Sequence, residues 1–297
     1  MFDICDSAEK RWRVFERLTI LGAGLLGGSL LWAAREKGLC RVTAAWSRRA
    51  ETREACARSA WCDEVYETPQ AAVAEADAVV VCVPVERIAP LVREVAPALK
   101  PQALVMDVGS TKGKICASLP PVLNAEGAAF VGAHPMAGSE KTGIDHARAD
   151  LFDDRNAFIT PVETTSASMT ARAQAFWSAL GMRVHVTTPE THDAIVAHVS
   201  HLPHLVASAL AQSLSESPPE WLAASGPGLR DTTRVAGGDP SLWLEIVREN
   251  RPAVRAALST FTASWSALQA AVEAEDDPAL EAILTGGQRC RSQLEKA

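Results

Sequence analysis

One segment, residues 18–29, constrains the fold of this chain more than any other. It opens with a short apolar, β-branched run, which predicts a strand, and it leads into an apolar stretch typical of a helix. Glycines in a GxGxxG pattern lie between the two. Such glycines permit a tight turn, let a pyrophosphate approach the backbone and let the helix pack on the strand. The pattern predicts a dinucleotide site, although a glycine-rich turn that only packs has the same spacing. The predicted site residues are Gly22, Gly24, Leu25, Leu26 and Gly27.

The same region raises the question of a membrane span. Residues 18–34 carry no charge, but a membrane helix needs about 20 apolar residues, and glycines interrupt this run. A net charge of -7 argues against a nucleic-acid binder, because neutralising phosphates requires a basic face. We therefore expect neither a membrane nor a nucleic acid as a partner.

Strand-like and helix-like segments alternate as far as residue 188, where the pattern changes. The predicted strands are Arg17–Leu21, Arg41–Trp46, Ala78–Cys82, Leu104–Val108, Phe130–Ala133, Ala157–Thr160 and Arg183–Val186. The predicted helices are Ser29–Lys37, Ala50–Ser59, Val85–Ala98, Ser168–Leu180, His192–Leu214, Pro240–Gln269 and Pro278–Leu294. This order predicts an α/β fold: a Rossmann-type, doubly wound parallel sheet in residues 1–188 and an all-helical domain in residues 189–297.

The end of the second predicted strand bears on the choice of dinucleotide. NAD sites place an acidic residue about 20 positions after the glycines, where it binds the ribose 2′-hydroxyl. Here the strand is followed by Ser47, Arg48 and Arg49, with no acid. A hydroxyl and two guanidinium groups suit a 2′-phosphate, so NADP is the preferred cofactor and NAD the alternative. Two solvated arginines at a helix start would give the same sequence.

Two later strands are followed by polar side chains. Ser110 follows the strand Leu104–Val108, and His134 ends the next strand, just before a glycine-containing loop. The carboxyl ends of parallel strands face the ligand crevice of such a sheet. Ser110 is placed either to hydrogen-bond a ligand or to cap a helix. His134 is placed for acid–base chemistry.

Two more segments concentrate charged or titratable groups. Four histidines fall between His192 and His204, but the sequence has no HExxH and no cysteine at ligand spacing. A polar helix lining a cleft is therefore preferred over a metal site and over plain packing, and we expect no metal. Further along, Arg230 and Arg234 flank Asp231 between glycine-rich turns. That pattern suits either an anion clamp or a surface ion pair.

Together these segments resemble the prephenate/arogenate dehydrogenase family, the cyclohexadienyl dehydrogenases of tyrosine biosynthesis. The likeness runs from Thr19 to about Asn250 and includes GAGLLGGS, DVGSTKG, GAHPMAGSEKTG, the HD…SHLPH run and RDTTRVAGGDPSLW in that order. It implies oxidation of a cyclohexadienol, with hydride transfer to NAD(P) and loss of the ring carboxylate. The implied small-molecule substrate is prephenate, arogenate or both, and the implied assembly is a homodimer formed through the helical domain.

The resemblance also implies residue roles. His134 would contact the C4 hydroxyl of the substrate and Ser110 would assist beside the nicotinamide, so these two are the catalytic residues. Arg234 would hold the ring carboxylate. The implied substrate-binding residues are Arg234, His204, Ser139, Glu140, Asp231 and Trp243. Glu140 and Asp231 resemble entrance residues, and Leu242 and Trp243 resemble residues that reach the site of the neighbouring subunit.

Three other functions fit parts of the sequence. Another β-hydroxyacid-type NAD(P) dehydrogenase would use a lysine, such as Lys112 or Lys141. A non-catalytic dinucleotide-binding sensor would need the glycine turn without the other site residues. A metal hydrolase would use the histidine run.

The expected location is a reducing cytoplasm. The seven cysteines include no CxxC pair and their number is odd, which does not suit a disulfide framework. The stretch Met1–Arg17 is charged throughout and does not have the pattern of a signal peptide.

Overall fold

The computed structural model describes residues 14–138 and 141–295. The described strands form one eight-stranded sheet in the order β3–β2–β1–β4–β5–β6–β7–β8. They are β1 (Phe15–Leu21), β2 (Cys40–Trp46), β3 (Glu64–Tyr66), β4 (Ala78–Val81), β5 (Leu104–Asp107), β6 (Ala129–Pro135), β7 (Asn156–Thr160) and β8 (Arg183–Val186). Every neighbouring pair is parallel except β6 with β7, which is antiparallel.

Helices cover both faces of this sheet. They are α1 (Leu25–Glu36), α2 (Ala50–Arg58), α3 (Pro69–Val73), α4 (Val85–Val95), α5 (Gly113–Ser118), α6 (Pro120–Ala125) and α7 (Ala167–Ala179). Successive strand residues enter different cores, since Ile20 packs with the cluster that contains Trp177 and Leu21 with the cluster that contains Ile88. Side chains that alternate between two buried faces are what a doubly wound sheet requires, so the predicted fold class is confirmed.

The last strand ends at Val186, and the described chain beyond it is helical. Its helices are α8 (Pro189–Val196), α9 (Leu202–Ser213), α10 (Pro219–Ala223), α11 (Pro227–Thr233), α12 (Pro240–Glu249), α13 (Arg251–Glu273) and α14 (Asp277–Leu294). The buried core of this part is small and centres on Ala197, Val254 and Ala257. Many large apolar side chains of these helices are therefore exposed in the single chain.

The prediction of an entirely parallel sheet is wrong at one pairing. Between β6 and β7 the described chain contains only a short 3-10 turn, Ile144–His146, rather than a crossover helix. A parallel neighbour needs a long crossover connection, usually a helix, whereas a chain that reverses directly forms an antiparallel pair. The strand β3 was also absent from the sequence prediction, because three half-buried residues at a sheet edge show no measurable periodicity.

Three predicted helices differ from the structure in ways that have a physical reason. Helix α1 begins at Leu25, inside the glycine turn, and not at Ser29. The predicted helix Pro240–Gln269 is two helices, because Asn250 lies outside helical geometry (φ -112°, ψ 27°) and a proline opens α13. The predicted helix His192–Leu214 is interrupted by a π-helical turn, Ala197–His201, directly before the proline of α9.

The continuous helical stretch Pro189–Ser213 is long and apolar enough to cross a membrane by length and composition, with a mean hydropathy of 1.4. Its first helix packs against α5, α13 and β7. The stretch also carries a half-buried carboxylate, Asp193, and buried imidazoles at His192, His201 and His204. Such groups are costly in hydrocarbon, so their placement favours packing against protein.

Candidate active site

The glycine turn lies between β1 and α1 and is closed by tight backbone contacts. Gly22 has φ +101°, and a Cβ on it would stand 2.5 Å from the carbonyl oxygen of Cys82. A Cβ on Gly27 would stand 2.1 Å from the carbonyl oxygen of Gly22. These two positions therefore require glycine for the turn itself.

The remaining glycine of the motif, Gly24, faces open space. A Cβ on Gly24 would have no neighbour within 4 Å, and Gly24 is the N-cap of the 12-residue helix α1 without a side-chain cap. The amide groups of the first turn of a helix have no acceptor within the helix. Uncapped amides at a positive helix end, below an open surface, fit the pyrophosphate of a dinucleotide. The residues that would hold it are Gly22, Gly24, Leu25, Leu26 and Gly27.

The three residues after β2 lie beside this turn. The amide of Gly22 donates to the carbonyl oxygen of Trp46 at 2.8 Å, so the ends of β1 and β2 are joined. Ser47 is half-buried, and Arg48 and Arg49 are exposed. The backbone there is held by Arg53, whose Nη1 donates to the carbonyl oxygens of Ser47 and Arg48 at 2.9 and 3.2 Å.

A buried ion pair braces the loop that carries Ser110. The Lys112 ammonium donates to the carboxylate of Asp107, and both side chains are fully buried. The same carboxylate accepts from the amide of Gly109 at 2.9 Å and from the amide of Ala133, in β6, at 3.0 Å. This network fixes the loop between β5 and α5 against β6. It places Ser110, which is half-buried, after the carboxyl end of the strand next to β6.

His134 lies near the carboxyl end of β6, with its ring buried. Its Nδ1 is 2.9 Å from Nε2 of His192, and Nδ1 of His192 is 2.8 Å from Oδ1 of Asp193. Burial, with smaller contributions from His192 and Lys112, holds the pKa of His134 well below its ordinary value. His134 is therefore neutral at physiological pH and able to accept a proton.

A second group of side chains extends these contacts of His134, His192 and Asp193 into the helical part. Asn250 Nδ2 donates to the carbonyl oxygen of Asp193 at 2.8 Å and lies 3.3 Å from Nδ1 of His201. The His201 ring meets Trp243 edge to face, and Trp243 stacks on His204 with ring centroids 3.5 Å apart. Burial lowers the pKa of His201 to about 4.

A cleft of about 580 Å³ opens beside this stack. Its lining includes His204, Ser208, Gln212, Gly238, Trp243 and Leu244. Nδ1 of His204 is buried and has no hydrogen-bond partner among the described residues. A buried polar nitrogen without a partner is unusual, and it marks this side of the cleft as a candidate ligand site. Trp243 stacks on His204 of its own chain, which the sequence did not indicate.

The predicted anion clamp is exposed. Asp231 lies in α11, Arg230 occupies its last turn, and Arg234 opens the following 3-10 turn. Within residues 14–138 and 141–295, Arg234 has no ion pair with a carboxylate. Its guanidinium is therefore not neutralised by that part of the chain. The predicted substrate-binding residues Ser139 and Glu140 lie outside the described residues.

Family models match most of the chain. The model described as "Prephenate dehydrogenase, nucleotide-binding domain" matches residues 32–186, and the model described as "Prephenate dehydrogenase, dimerization domain" matches residues 188–286. The chain belongs to the prephenate dehydrogenase family.

Relatives and solved structures agree with this family. The chain is 34% identical to a cyclohexadienyl dehydrogenase of Zymomonas mobilis, over 95% of this chain and 97% of that one. Prephenate dehydrogenase of A. aeolicus, crystallised with hydroxyphenyl propionate and NAD+, superposes with a TM-score of 0.87 at 29% identity, covering 94% and 98% of the two chains. Synechocystis arogenate dehydrogenase superposes with a TM-score of 0.82, also at 29% identity, covering 94% and 99%.

Several buried polar residues beside the site were not assigned a role from the sequence. Asp107 ends an apolar strand, and Asn250 separates two helices. His192 and Asp193 were noted only as part of a histidine-rich run. Their positions in the sequence could have indicated a role. A carboxylate at the end of a strand, or a His-Asp pair at the start of a helix, is placed to join a polar network. Nothing in the linear sequence indicated that the His-Asp pair would reach His134.

Proposed function

We propose that this chain is an NAD(P)-dependent dehydrogenase that oxidises and decarboxylates prephenate, arogenate or both on the route to tyrosine. One observation carries the proposal: a buried, neutral His134 near the carboxyl end of β6, in the same sheet as the glycine turn. The names of relatives that align over nearly the whole chain support it. A cyclohexadienol suits such a site because aromatisation provides the driving force, and the protein needs only to position and polarise.

His134 acts as the acid–base residue. The nicotinamide, when bound, takes the hydride from C4 of the substrate. His134 accepts the C4 hydroxyl proton as the hydride leaves, and burial favours this because it keeps the imidazole neutral. The C1 carboxylate then departs as CO2, its bonding electrons complete the aromatic ring, and the proton on His134 can return to the phenolate oxygen.

The remaining site residues position the ring and the cofactor. Arg234 binds the ring carboxylate bidentately, which an exposed guanidinium without a described ion pair is free to do. Ser110 hydrogen-bonds beside the nicotinamide. His204 and Trp243 line the substrate pocket, and Asp231 stands at its entrance.

The cofactor proposal favours NADP over NAD. It is supported by Ser47 and the two exposed arginines after β2, with no acid there to repel a phosphate. One charge-assisted hydrogen bond gives roughly a 10- to 150-fold preference in kcat/KM. Arg48→Ala and Arg49→Ala should each reduce the preference, with Arg35→Ala, elsewhere on the sheet domain, as the control. A clear NAD preference in the native protein would remove the 2′-phosphate role while leaving the reaction unchanged.

The assembly proposal is a homodimer through the helical domain. The family model for that domain is described as a dimerization domain. Exposed apolar side chains of the domain support it, namely Trp221, Leu222, Leu242, Leu244, Leu258, Trp265 and Leu284. Exposure of so many large apolar side chains on one domain suits a surface that another chain covers. Sedimentation equilibrium at micromolar concentration should give twice the chain mass, and a monomer would contradict the proposal.

We also propose a domain boundary and a cellular location. We place the domain boundary at residue 188, supported by the end of β8 at Val186 and the start of α8 at Pro189. We propose a cytoplasmic location, supported by the odd number of cysteines and by the lack of a CxxC pair in the sequence.

The structure disfavours Lys112 as the lysine of the rival β-hydroxyacid-type dehydrogenase. A dehydrogenase that uses a lysine needs an ammonium open to the substrate, but Lys112 is fully buried and paired with Asp107. The direct test of the proposed function is steady-state reduction of NAD+ and NADP+ with prephenate and with arogenate. Turnover with at least one substrate is expected. Cofactor binding without turnover on either substrate would instead favour a sensor.

A further inference from the structure

A row of three side chains links the proposed acid–base residue to a carboxylate in the helical domain. His134 Nδ1 lies 2.9 Å from His192 Nε2, and His192 Nδ1 lies 2.8 Å from Asp193 Oδ1. The carboxylate has two more donors: the amide of Lys112 at 2.8 Å to Oδ1 and the amide of Gly113 at 2.9 Å to Oδ2. These amides begin helix α5, so Asp193 joins the two domains at the site.

The carboxylate of Asp193 is ionised. Burial alone would raise its pKa, but the hydrogen bonds from His192, Gly113 and Lys112 outweigh burial and hold the pKa below its ordinary value. An ionised carboxylate can only accept hydrogen bonds. Nδ1 of His192 must therefore be the donor in that contact.

The protonation of each ring follows from this fixed acceptor. Burial lowers the pKa of His192, against the opposing effect of Asp193, so its ring is neutral and carries a single N–H. With that proton on Nδ1, Nε2 of His192 can only accept. His134 must then donate from its own Nδ1, which leaves the lone pair on Nε2 of His134.

We propose that His192 and Asp193 are positioning residues that fix His134 in the Nδ1–H tautomer, with Nε2 free to take the substrate hydroxyl proton. The proposal deepens the proposed function and rests on it for the identity of the substrate. The opposite tautomer would present an N–H to the hydroxyl and could not accept its proton. A partner that sets the tautomer of a catalytic imidazole is a recurring device in enzymes.

Packing holds the two rings in this arrangement. The His192 side chain is fully buried, and the edge-to-face contact with Phe158 has a centroid separation of 5.2 Å. The rings of His134 and His192 meet at 69°, with centroids 5.1 Å apart. Asn250 holds the backbone carbonyl of Asp193 at 2.8 Å. Neither imidazole can rotate without breaking these contacts.

Asp193→Asn tests the direction of the hydrogen bonds. If the NH2 group of the new side chain faces His192, the ring of His192 must expose a lone pair there and move its proton to Nε2. His134 then accepts at Nδ1 and carries its proton on Nε2, which is the wrong tautomer. If the NH2 group instead faces Gly113, two donors oppose each other at the start of α5. Because Oδ1 also accepts from the amide of Lys112, the NH2 group opposes an amide donor at the start of α5 in either orientation. The substitution therefore disturbs the contact between domains in both cases and reverses the tautomer in the first.

A matched pair at position 192 separates tautomer control from packing. His192→Phe keeps ring volume but removes the acceptor, whereas His192→Gln keeps an oxygen that can accept from Nδ1 of His134. We expect His192→Phe and Asp193→Asn to lose about 10²- to 10⁴-fold in kcat, the range for acid–base groups and misplaced tautomers, with KM for substrate and cofactor within about threefold. His192→Gln should recover most of the loss. His198→Gln, an exposed histidine on the same helical stretch, should be unchanged.

A measurement on the resting protein decides the tautomer without any substrate. Long-range ¹H–¹⁵N correlation spectra of histidine-labelled protein, with His134 assigned by comparison with His134→Asn, should show the proton on Nδ1. A proton on Nε2 of His134 in the native protein overturns the proposal. So does turnover of His192→Phe within about threefold of wild type. If the native protein oxidises neither prephenate nor arogenate, the proposed function fails, and the spectrum still decides the tautomer.

Discussion

Alanine substitutions at Gly24 and Gly27 distinguish a turn that binds the dinucleotide (the nucleotide cradle) from a turn that only packs. Gly27→Ala is expected to lower stability, whereas Gly24→Ala is expected to weaken cofactor binding. At Gly27 the new Cβ would lie 2.1 Å from the carbonyl oxygen of Gly22 and 2.9 Å from Cγ2 of Ile20. Backbone must then shift, and overpacking of this kind costs about 1–3 kcal/mol or more of stability. At Gly24 the new Cβ meets nothing within 4 Å, so only the helix cap is affected, by at most about 1 kcal/mol.

Gly24→Ala should instead weaken binding of the cofactor. The open surface above Gly24 is where the pyrophosphate would approach the backbone. A methyl group there displaces the phosphates from the amides of Leu25 and Leu26. Loss of one charge-assisted hydrogen bond, worth about 1.5–3 kcal/mol, weakens cofactor binding roughly 10- to 150-fold.

Two assays on the same variants test this reasoning. Urea unfolding should show Gly24→Ala close to wild type and Gly27→Ala clearly destabilised, and calorimetric titration with NAD+ and NADP+ should show weak binding by Gly24→Ala. Gly286→Ala, an exposed position in the middle of α14 with nothing within 4 Å, is the control for cofactor binding. It should leave cofactor affinity unchanged and raise stability by about 0.5–1 kcal/mol, because glycine is unfavourable inside a helix. Wild-type cofactor affinity in a well-folded Gly24→Ala protein would refute the cradle.

Three further predictions follow from the site. His134→Asn should keep the fold and cofactor affinity but lose about 10²–10⁴ in kcat, and turnover within about threefold of wild type would exclude the acid–base role. Arg234→Ala should raise KM for the substrate roughly 10- to 150-fold through loss of an ionic hydrogen bond. If KM is unchanged in Arg234→Ala but raised in Arg230→Ala, the residue that binds the carboxylate is Arg230 instead. Stability should fall in acid: burial lowers the pKa of His201 from about 6.5 unfolded to about 4 folded, so protonation favours the unfolded state. The free energy of unfolding should therefore be greatest above about pH 6.5 and decline toward pH 4, by about 3 kcal/mol from His201 alone. Urea unfolding at several pH values checks this, and an equal decline in His201→Gln would contradict the assignment to His201.

The sheet domain could be predicted because its signals are local. The conformation of an apolar run such as Leu104–Val108, and of the glycine turn, can be predicted from the residues of that segment alone. The alternation of strands and helices then leaves few possible topologies. The reversal between β6 and β7 could not be predicted in this way. It depends on the path of a loop, which no periodic pattern records. The break at Asn250 was missed for a related reason, since apolar spacing continues across it and only Pro252 marks the new helix.

The candidate site was predictable where a residue stands at the end of a strand, as Ser110 and His134 do. Residues that act through long-range contacts were not. His192 is 58 positions from His134 along the chain, and Asp193 is 80 positions from Gly113, whose amide it accepts from. Those contacts exist only once the helical domain has packed on the sheet. A sequence motif can mark such residues as polar, but only the fold gives them their partners.

The most direct test of the central claim is the stoichiometry of the reaction. With purified protein, prephenate or arogenate and the better of the two cofactors, released CO2 and reduced nicotinamide are measured in the same reaction. Oxidative decarboxylation predicts one CO2 for each reduced nicotinamide, with both products lost together in His134→Asn. Reduced nicotinamide without CO2 would identify a simple alcohol dehydrogenase and would contradict the account.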